Sequence, residues 1–139
     1  MMQDDGHKID GHTVELMCAD LMRQSGYTII AQNYQSGPLE LDLIVMEGST
    51  LCFIEVKARS SLGALRDIES LIPPKKQLNI LQAAKAFLCD KNGGRDLTYG
   101  DIRFDYLLIY FPPDGREAGY KILRNAIYDM PEGYEEFRL

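Results

Sequence analysis

The sequence predicts an α/β domain, a mixed sheet with helices packed on it, and two observations carry that expectation. Helical and strand periodicities alternate along the chain in the order helix, three strands, helix, strand and a further short strand. The second and third strand segments, Leu39 to Val45 and Leu51 to Arg59, flank a Met-Glu-Gly-Ser-Thr turn and read as a hairpin.

At 139 residues the chain forms one domain, long enough to bury a core without disulfides or a structural metal. Residues 1–10 are polar and aperiodic and read as a disordered lead-in. From Thr13 a helix is expected, because Val14, Met17, Cys18, Leu21 and Met22 recur at helical spacing, with Gly26 as its stop and Gly11 or Thr13 as its cap. Tyr27 to Asn33 is the first strand, and Gly37-Pro38 turns the chain into the hairpin.

Ser60 to Ile72 lacks clear periodicity and is expected to be a mobile loop beside any site the hairpin carries. Pro73-Pro74 opens the second helix, with Leu78, Leu81, Ala84, Lys85 and Leu88 on one face. Asp90 to Gly100 is a loop, Ile102 to Phe111 a strand, and Pro112 to Gly115 a turn. Tyr120 to Leu123 forms a short edge strand, and residues 126–139 an acidic tail.

Composition excludes several classes. No run approaches the roughly 20 apolar residues of a membrane helix and no basic-apolar leader opens the chain, so the expected location is cytoplasmic. Cys18, Cys52 and Cys89 are odd in number and widely spaced among apolar neighbours, which suits buried reduced thiols. His7 and His12 are the only histidines, both near the start and read as surface residues, which argues against a His-based triad or His-ligated metal.

The net charge of −6 is unevenly spread. From Lys57 to Lys85 six cations oppose Asp67 and Glu69, a balance of +4 that leaves −10 elsewhere. Such a basic segment suits a phosphate-bearing substrate, although lysines on helix surfaces also serve solubility.

The chemistry lies in the hairpin. Strand period two sends Glu40 and Asp42 to one face and Leu41, Leu43 and Val45 to the other. Leu51, Phe53, Glu55 and Lys57 share a face, opposite Cys52, Ile54, Val56 and Ala58. Charges inside apolar strands require a partner or a metal, since burial without one is costly. If the two faces coincide, two carboxylates and an ammonium converge, an arrangement suited to a hard divalent cation and a phosphate. Solvent-facing cross-strand pairs are the ordinary alternative, but Leu51 and Phe53 on the same face oppose it.

At these residues the sequence resembles the PD-(D/E)XK nuclease superfamily, written here as Asp42 followed by Glu55-Val56-Lys57. It is most similar to the bacterial YraN-like branch, through Glu15, Leu39 to Ile44, and Glu55 to Arg59. Gly26-Tyr27, Asn33, Lys76-Gln77, Ala83-Ala84 and Arg103-Phe104-Asp105 extend the match in the family's order. Val14, Leu39 and Ala58 depart from the pattern, replacing Gly, Gly and Thr.

The resemblance implies a restriction-endonuclease-like core in αβββαβ order. It also implies Mg²⁺- or Mn²⁺-dependent hydrolysis of phosphodiester bonds in DNA rather than RNA, with branched and single-stranded DNA as candidate substrates. Asp42, Glu55 and the Val56 carbonyl would hold the metal, with Glu15 as a further candidate, and Lys57 would complete the catalytic set. Lys76 and Gln77, in the first turn of the second helix, would contact phosphate, and beside the Ser60 to Ile72 segment Arg59 or Arg66 is a candidate for substrate contact. Strand period, apart from the resemblance, puts Glu40 on the Asp42 face two residues away, where it either supports the site from behind or stands at its rim.

The alternative function, from a different class, is a catalytically silent nucleic-acid-binding or scaffold protein with the same fold. Binding that survives metal chelation separates it from the nuclease. A monomer and a homodimer are both open.

Overall fold

The computed structural model describes residues 11–70, 73–90, 96–124 and 126. The elements run α1 (Gly11–Gln24), β1 (Thr28–Ser36), β2 (Leu39–Glu47), β3 (Thr50–Arg59), α2 (Leu62–Ser70), α3 (Pro74–Cys89), β4 (Asp101–Tyr110) and β5 (Gly119–Leu123). This is the expected αβββαβ order with one more helix before α3 and an edge strand after β4, a restriction-endonuclease-like arrangement. Residues 1–10, including His7, and residues 127–139 lie outside the described set, as does the His12 side chain.

The five strands lie in sequence order, β1-β2-β3-β4-β5. The first three form an antiparallel meander, β3 and β4 are parallel, and β5 returns antiparallel to β4. A parallel pair requires a crossover, and α2 and α3 supply it. Gly48 takes φ +60° in the two-residue β2–β3 loop, a conformation that glycine reaches without a Cβ clash.

Helices cover both faces of the sheet. On one, Cys18 and Met22 of α1 bury Leu43, Val45, Cys52, Ile54, Leu107 and Ile109. On the other, Ile80, Leu81, Ala84 and Phe87 of α3 cover Leu41, Ile44, Leu51, Phe53, Phe104 and Tyr106. Phe53 lies edge-on to Phe87 at 5.9 Å and stacks on Phe104 at 5.6 Å. Burial of β3 and β4 on both faces explains their near-continuous apolar sequences.

The α1 stripe and its stop are as the sequence indicates. Gly26 N–H bonds the Arg23 carbonyl and Tyr27 N–H the Met22 carbonyl, with Gly26 at φ +89°, a Schellman ending. The helix already includes Gly11 and Thr13, so neither caps it.

Other expectations need correction. Ser60 to Ile72 is not a loop along its length, because α2 occupies Leu62–Ser70. Ser61 Oγ caps it by accepting the Ala64 N–H at 3.3 Å, and Leu65 is its buried anchor. Nine residues give the helical period little length in which to show. The buried stripe of α3 runs through Ile80, Leu81, Ala83, Ala84 and Phe87, whereas Leu78, Lys85 and Leu88 are half-buried at its margin. Cys18 and Cys52 are buried thiols, but Cys89, at the end of α3, is exposed. Ala126 is tied to β4 through its N–H and the Phe104 carbonyl at 2.8 Å.

Leu41 also departs from simple alternation. It packs on the α3 side while Leu43 and Val45 pack on the α1 side, so the face order breaks at Asp42. The residue across from Asp42 on β1 is Asn33, at φ +52°.

Candidate active site

The site lies where β2 and β3 part. Their registered pairing ends at Leu43↔Ile54, after which β2 continues along β1 to Leu39 and β3 along β4 to Arg59. The fork opens a cleft of about 300 Å³, lined by both strands and by residues of α1, β1 and α3. That volume is at the small end for ligand clefts.

Asp42 and Glu55 occupy the crotch of the fork. Asp42 Oδ2 accepts the Val56 N–H at 2.8 Å, so a side chain takes over where the backbone ladder stops. The two carboxyls face each other closely enough that each shifts the other, Asp42 upward and Glu55 downward. Burial, then the hydrogen bond and charge of Glu55, push the Asp42 carboxyl up to about 7. Burial also opposes ionisation of Glu55, but its hydrogen bonds to Asp42 and Lys76 and the charge of Lys57 outweigh it and hold Glu55 below its ordinary value.

Two ammonium groups meet that carboxylate. Lys57 Nζ is 3.4 Å from Glu55 Oε2, as expected for residues two apart on one strand face, and Lys76 Nζ pairs with the same oxygen. Lys57 is half-buried and burial lowers its pKa against the pull of Glu55. Lys76 comes from the first turn of α3; burial is outweighed by its hydrogen bond to Glu55, which raises its pKa. Its ammonium therefore reaches across from the helix to the strand and completes the charge balance of a carboxylate that is 4% exposed.

Of the remaining sequence candidates, Glu15, Glu40, Val56 and Arg59 all line the cleft. Glu40 is exposed at the rim and its charge helps to raise Asp42, a smaller effect than that of Glu55. Arg59 turns its guanidinium back to the Ala58 carbonyl at 2.8 Å. Gln77 lies outside the lining. Glu15 Oε1 accepts from Asn33 Nδ2 at 2.7 Å.

Sequence reading missed the cleft-lining roles of Cys18, Gln32 and Asn33, though the adjacent amides Gln32-Asn33 in an otherwise β-rich run were a visible signal.

The donor chemistry of the cleft is that of a hard cation. Asp42 and Glu55 supply carboxylate oxygens, and the one thiol of the lining, Cys18, is pushed up to about 12 by burial and by the charges of Asp42 and Glu15. A thiol held protonated is a poor ligand for soft metals. Among the described residues no three His, Cys, Asp or Glu side chains are gathered closely enough to enclose a metal between them. Two carboxylates with backbone and solvent oxygens nonetheless suit Mg²⁺, which keeps several waters.

A second charged cluster lies toward the β2–β3 turn. Buried Asp105 receives Arg103 Nε at 3.0 Å on both oxygens, and Arg103 also reaches Glu47 at 2.7 Å. Arg124 bonds Glu47 at 3.2 Å and the Tyr27 hydroxyl at 3.0 Å. The cluster joins β2, β4, the end of α1 and the segment after β5. Its groups satisfy one another.

Comparison with known proteins gives the same span that carries the motif. Residues 14–109 match the model of the uncharacterised protein family UPF0102. A UPF0102 protein of Chlorobium limicola is 39% identical over 78% of this chain and 79% of its own length. Others from Acetivibrio thermocellus and Moorella thermoacetica are 34% and 31% identical, each over 84% of this chain and over 88% and 92% of their own. No described helix is long and apolar enough to cross a membrane.

Proposed function

The chain belongs to the UPF0102 family, the YraN branch of the PD-(D/E)XK nuclease-like superfamily, and from that membership we propose divalent-metal-dependent hydrolysis of phosphodiester bonds in DNA. The observation that supports it is the meeting of Asp42 and Glu55 at the strand fork, with Lys57 3.4 Å from Glu55.

Asp42 and Glu55, with the Val56 carbonyl, would hold Mg²⁺ or Mn²⁺. When bound, such an ion supplies Lewis-acid polarisation of the phosphoryl oxygen and lowers the pKa of a water. The chain's own groups account for the rest. Lys57, held in place by Glu55, orients the attacking water or neutralises charge developing on phosphorus. With Glu55 holding the ion, the Lys76 ammonium that now pairs with it would be available to a phosphate at the start of α3, where helix N–H groups also favour an anion. Arg59 at the cleft and Gln77 beside Lys76 extend the contact to neighbouring phosphates, and Glu40 tunes Asp42 from the rim. Burial of the pair keeps these interactions in a low dielectric.

The test is cleavage of single-stranded, duplex, flap and four-way-junction DNA, and of matched RNA, with Mg²⁺ or Mn²⁺. Nicking that stops on chelation and falls at least about a hundredfold in Lys57→Ala is the expected result. DNA binding that withstands both EDTA and Asp42→Ala, with every substrate left intact, would replace the nuclease by the binding-protein reading.

A further inference from the structure

We infer that Asn33 is a positioning residue, clasping the Glu15 carboxylate to the cleft wall beside the Asp42–Glu55 pair; the inference rests on the metal-dependent reading of the cleft.

Asn33 is the one non-glycine residue at positive φ among those described, at +52° in the middle of β1. Asparagine tolerates this left-handed region better than most side chains, but a strand interior has no use for it unless the kink is put to work. Here the kink lies between the pairs Gln32↔Leu43 and Tyr34↔Leu41, directly across from Asp42. Its Nδ2 donates to Glu15 Oε1 at 2.7 Å, in the short range of a charge-assisted bond. Gln32 Nε2 reaches the backbone carbonyl of the same Glu15 at 3.3 Å.

Consecutive residues of β1 thus hold both the main chain and the side chain of one residue on α1. Glu15 is exposed, and an exposed glutamate left alone samples many rotamers. All three residues line the cleft. The clasp keeps a further carboxylate in the same cleft lining as Asp42 and Glu55 without gathering it against Glu55, which it would repel. With a cation held by that pair, Glu15 would act on it from a distance, through its field.

The experiment measures Mn²⁺ affinity by titration calorimetry for the wild type, Asn33→Gly, Glu15→Gln and the double variant. Glycine keeps the left-handed backbone and removes only the amide. Asn33→Gly and Glu15→Gln should each weaken Mn²⁺ binding by about tenfold, and the double variant should be no weaker than Glu15→Gln alone. Wild-type affinity in Asn33→Gly, or additive losses in the double variant, overturns the inference.

Nitrogen-15 NMR on the metal-free protein gives a separate reading. The Asn33 side-chain amide should be protected from solvent exchange in the wild type and lose that protection in Glu15→Ala. A wild type that binds no Mn²⁺ but keeps this protection sinks the metal reading and leaves the clasp standing, whereas an unprotected amide sinks the clasp.

Discussion

Asp42 carries the pH dependence of the metal-free protein. With its carboxyl pushed up to about 7, first by burial and then by Glu55, it keeps a proton that an unfolded carboxyl loses near 3.8. Between those values the native state binds the extra proton, so this group's contribution makes stability fall as pH rises across the window. Glu55 runs the other way: its lowered pKa contributes stability that is present above its ordinary value and lost as pH falls through the lowered one. Asn at position 42 can accept the Val56 N–H and donate to Glu55 without a charge. Asp42→Asn should therefore gain on the order of 1 kcal/mol in urea unfolding at pH 8, with the gain shrinking toward pH 4. An equal effect at both pH values would show that the Asp42 carboxyl is not the raised one. Glu55 and Lys57 were legible because period two holds along β3, and Asp42 was legible as a charge inside an apolar strand, although the alternation that assigned its face breaks there. The role of Asn33 was not, since neither the sign of φ nor the partner across the sheet is written in neighbouring residues.

Among the elements, β4 is the best anchored, through Arg103 and Asp105. Asp105 is 2% exposed, and its charge is compensated by a guanidinium held on both oxygens. Removing one member of a buried pair strands the other, so Arg103→Ala should lower unfolding free energy by about 3–5 kcal/mol. Replacing Arg116, which pairs with Asp114 in full exposure, should leave the thermal midpoint unchanged. A comparable loss at both positions in thermal denaturation would contradict this account. The helix α2 shows the limit of periodicity at this scale. Its cap, Ser61, stood in plain view and Leu62, Leu65 and Ile68 stand at helical spacing, but nine residues repeat that spacing too few times to set it apart from a loop. In α3 the reverse holds: periodicity announced the helix, and the choice of buried face passed to Ile80 and Phe87 because Phe53 and Phe104 meet them.

For the whole molecule, charge segregation decides where a polyanion can lie. The +4 segment from Lys57 to Lys85 includes the end of β3, α2 and most of α3, and three of its cations line the cleft, while the remaining −10 is spread over the rest of the chain. Lys57, Arg59 and Lys76 are the cleft's cations. If those three make the phosphate contacts, the affinity for a single-stranded oligonucleotide in EDTA should fall with salt at a log–log slope of about −2. Fluorescence anisotropy across a salt series measures it, and a slope near −6 would mean contacts far beyond the cleft.

The order of elements, the apolar character of β3 and β4, and the charged residues within the hairpin follow from local pattern, because helix and strand periods and turn chemistry act over a few residues. The fork is a property of the assembled sheet. Only the divergence of β2 and β3 brings Asp42 against Glu55, and only the crossover through α2 and α3 carries Lys76 to the same oxygen. Such meetings depend on which strands pair, where the pairing stops and which helix covers which face, and burial of two cores settles those choices for the chain as a whole.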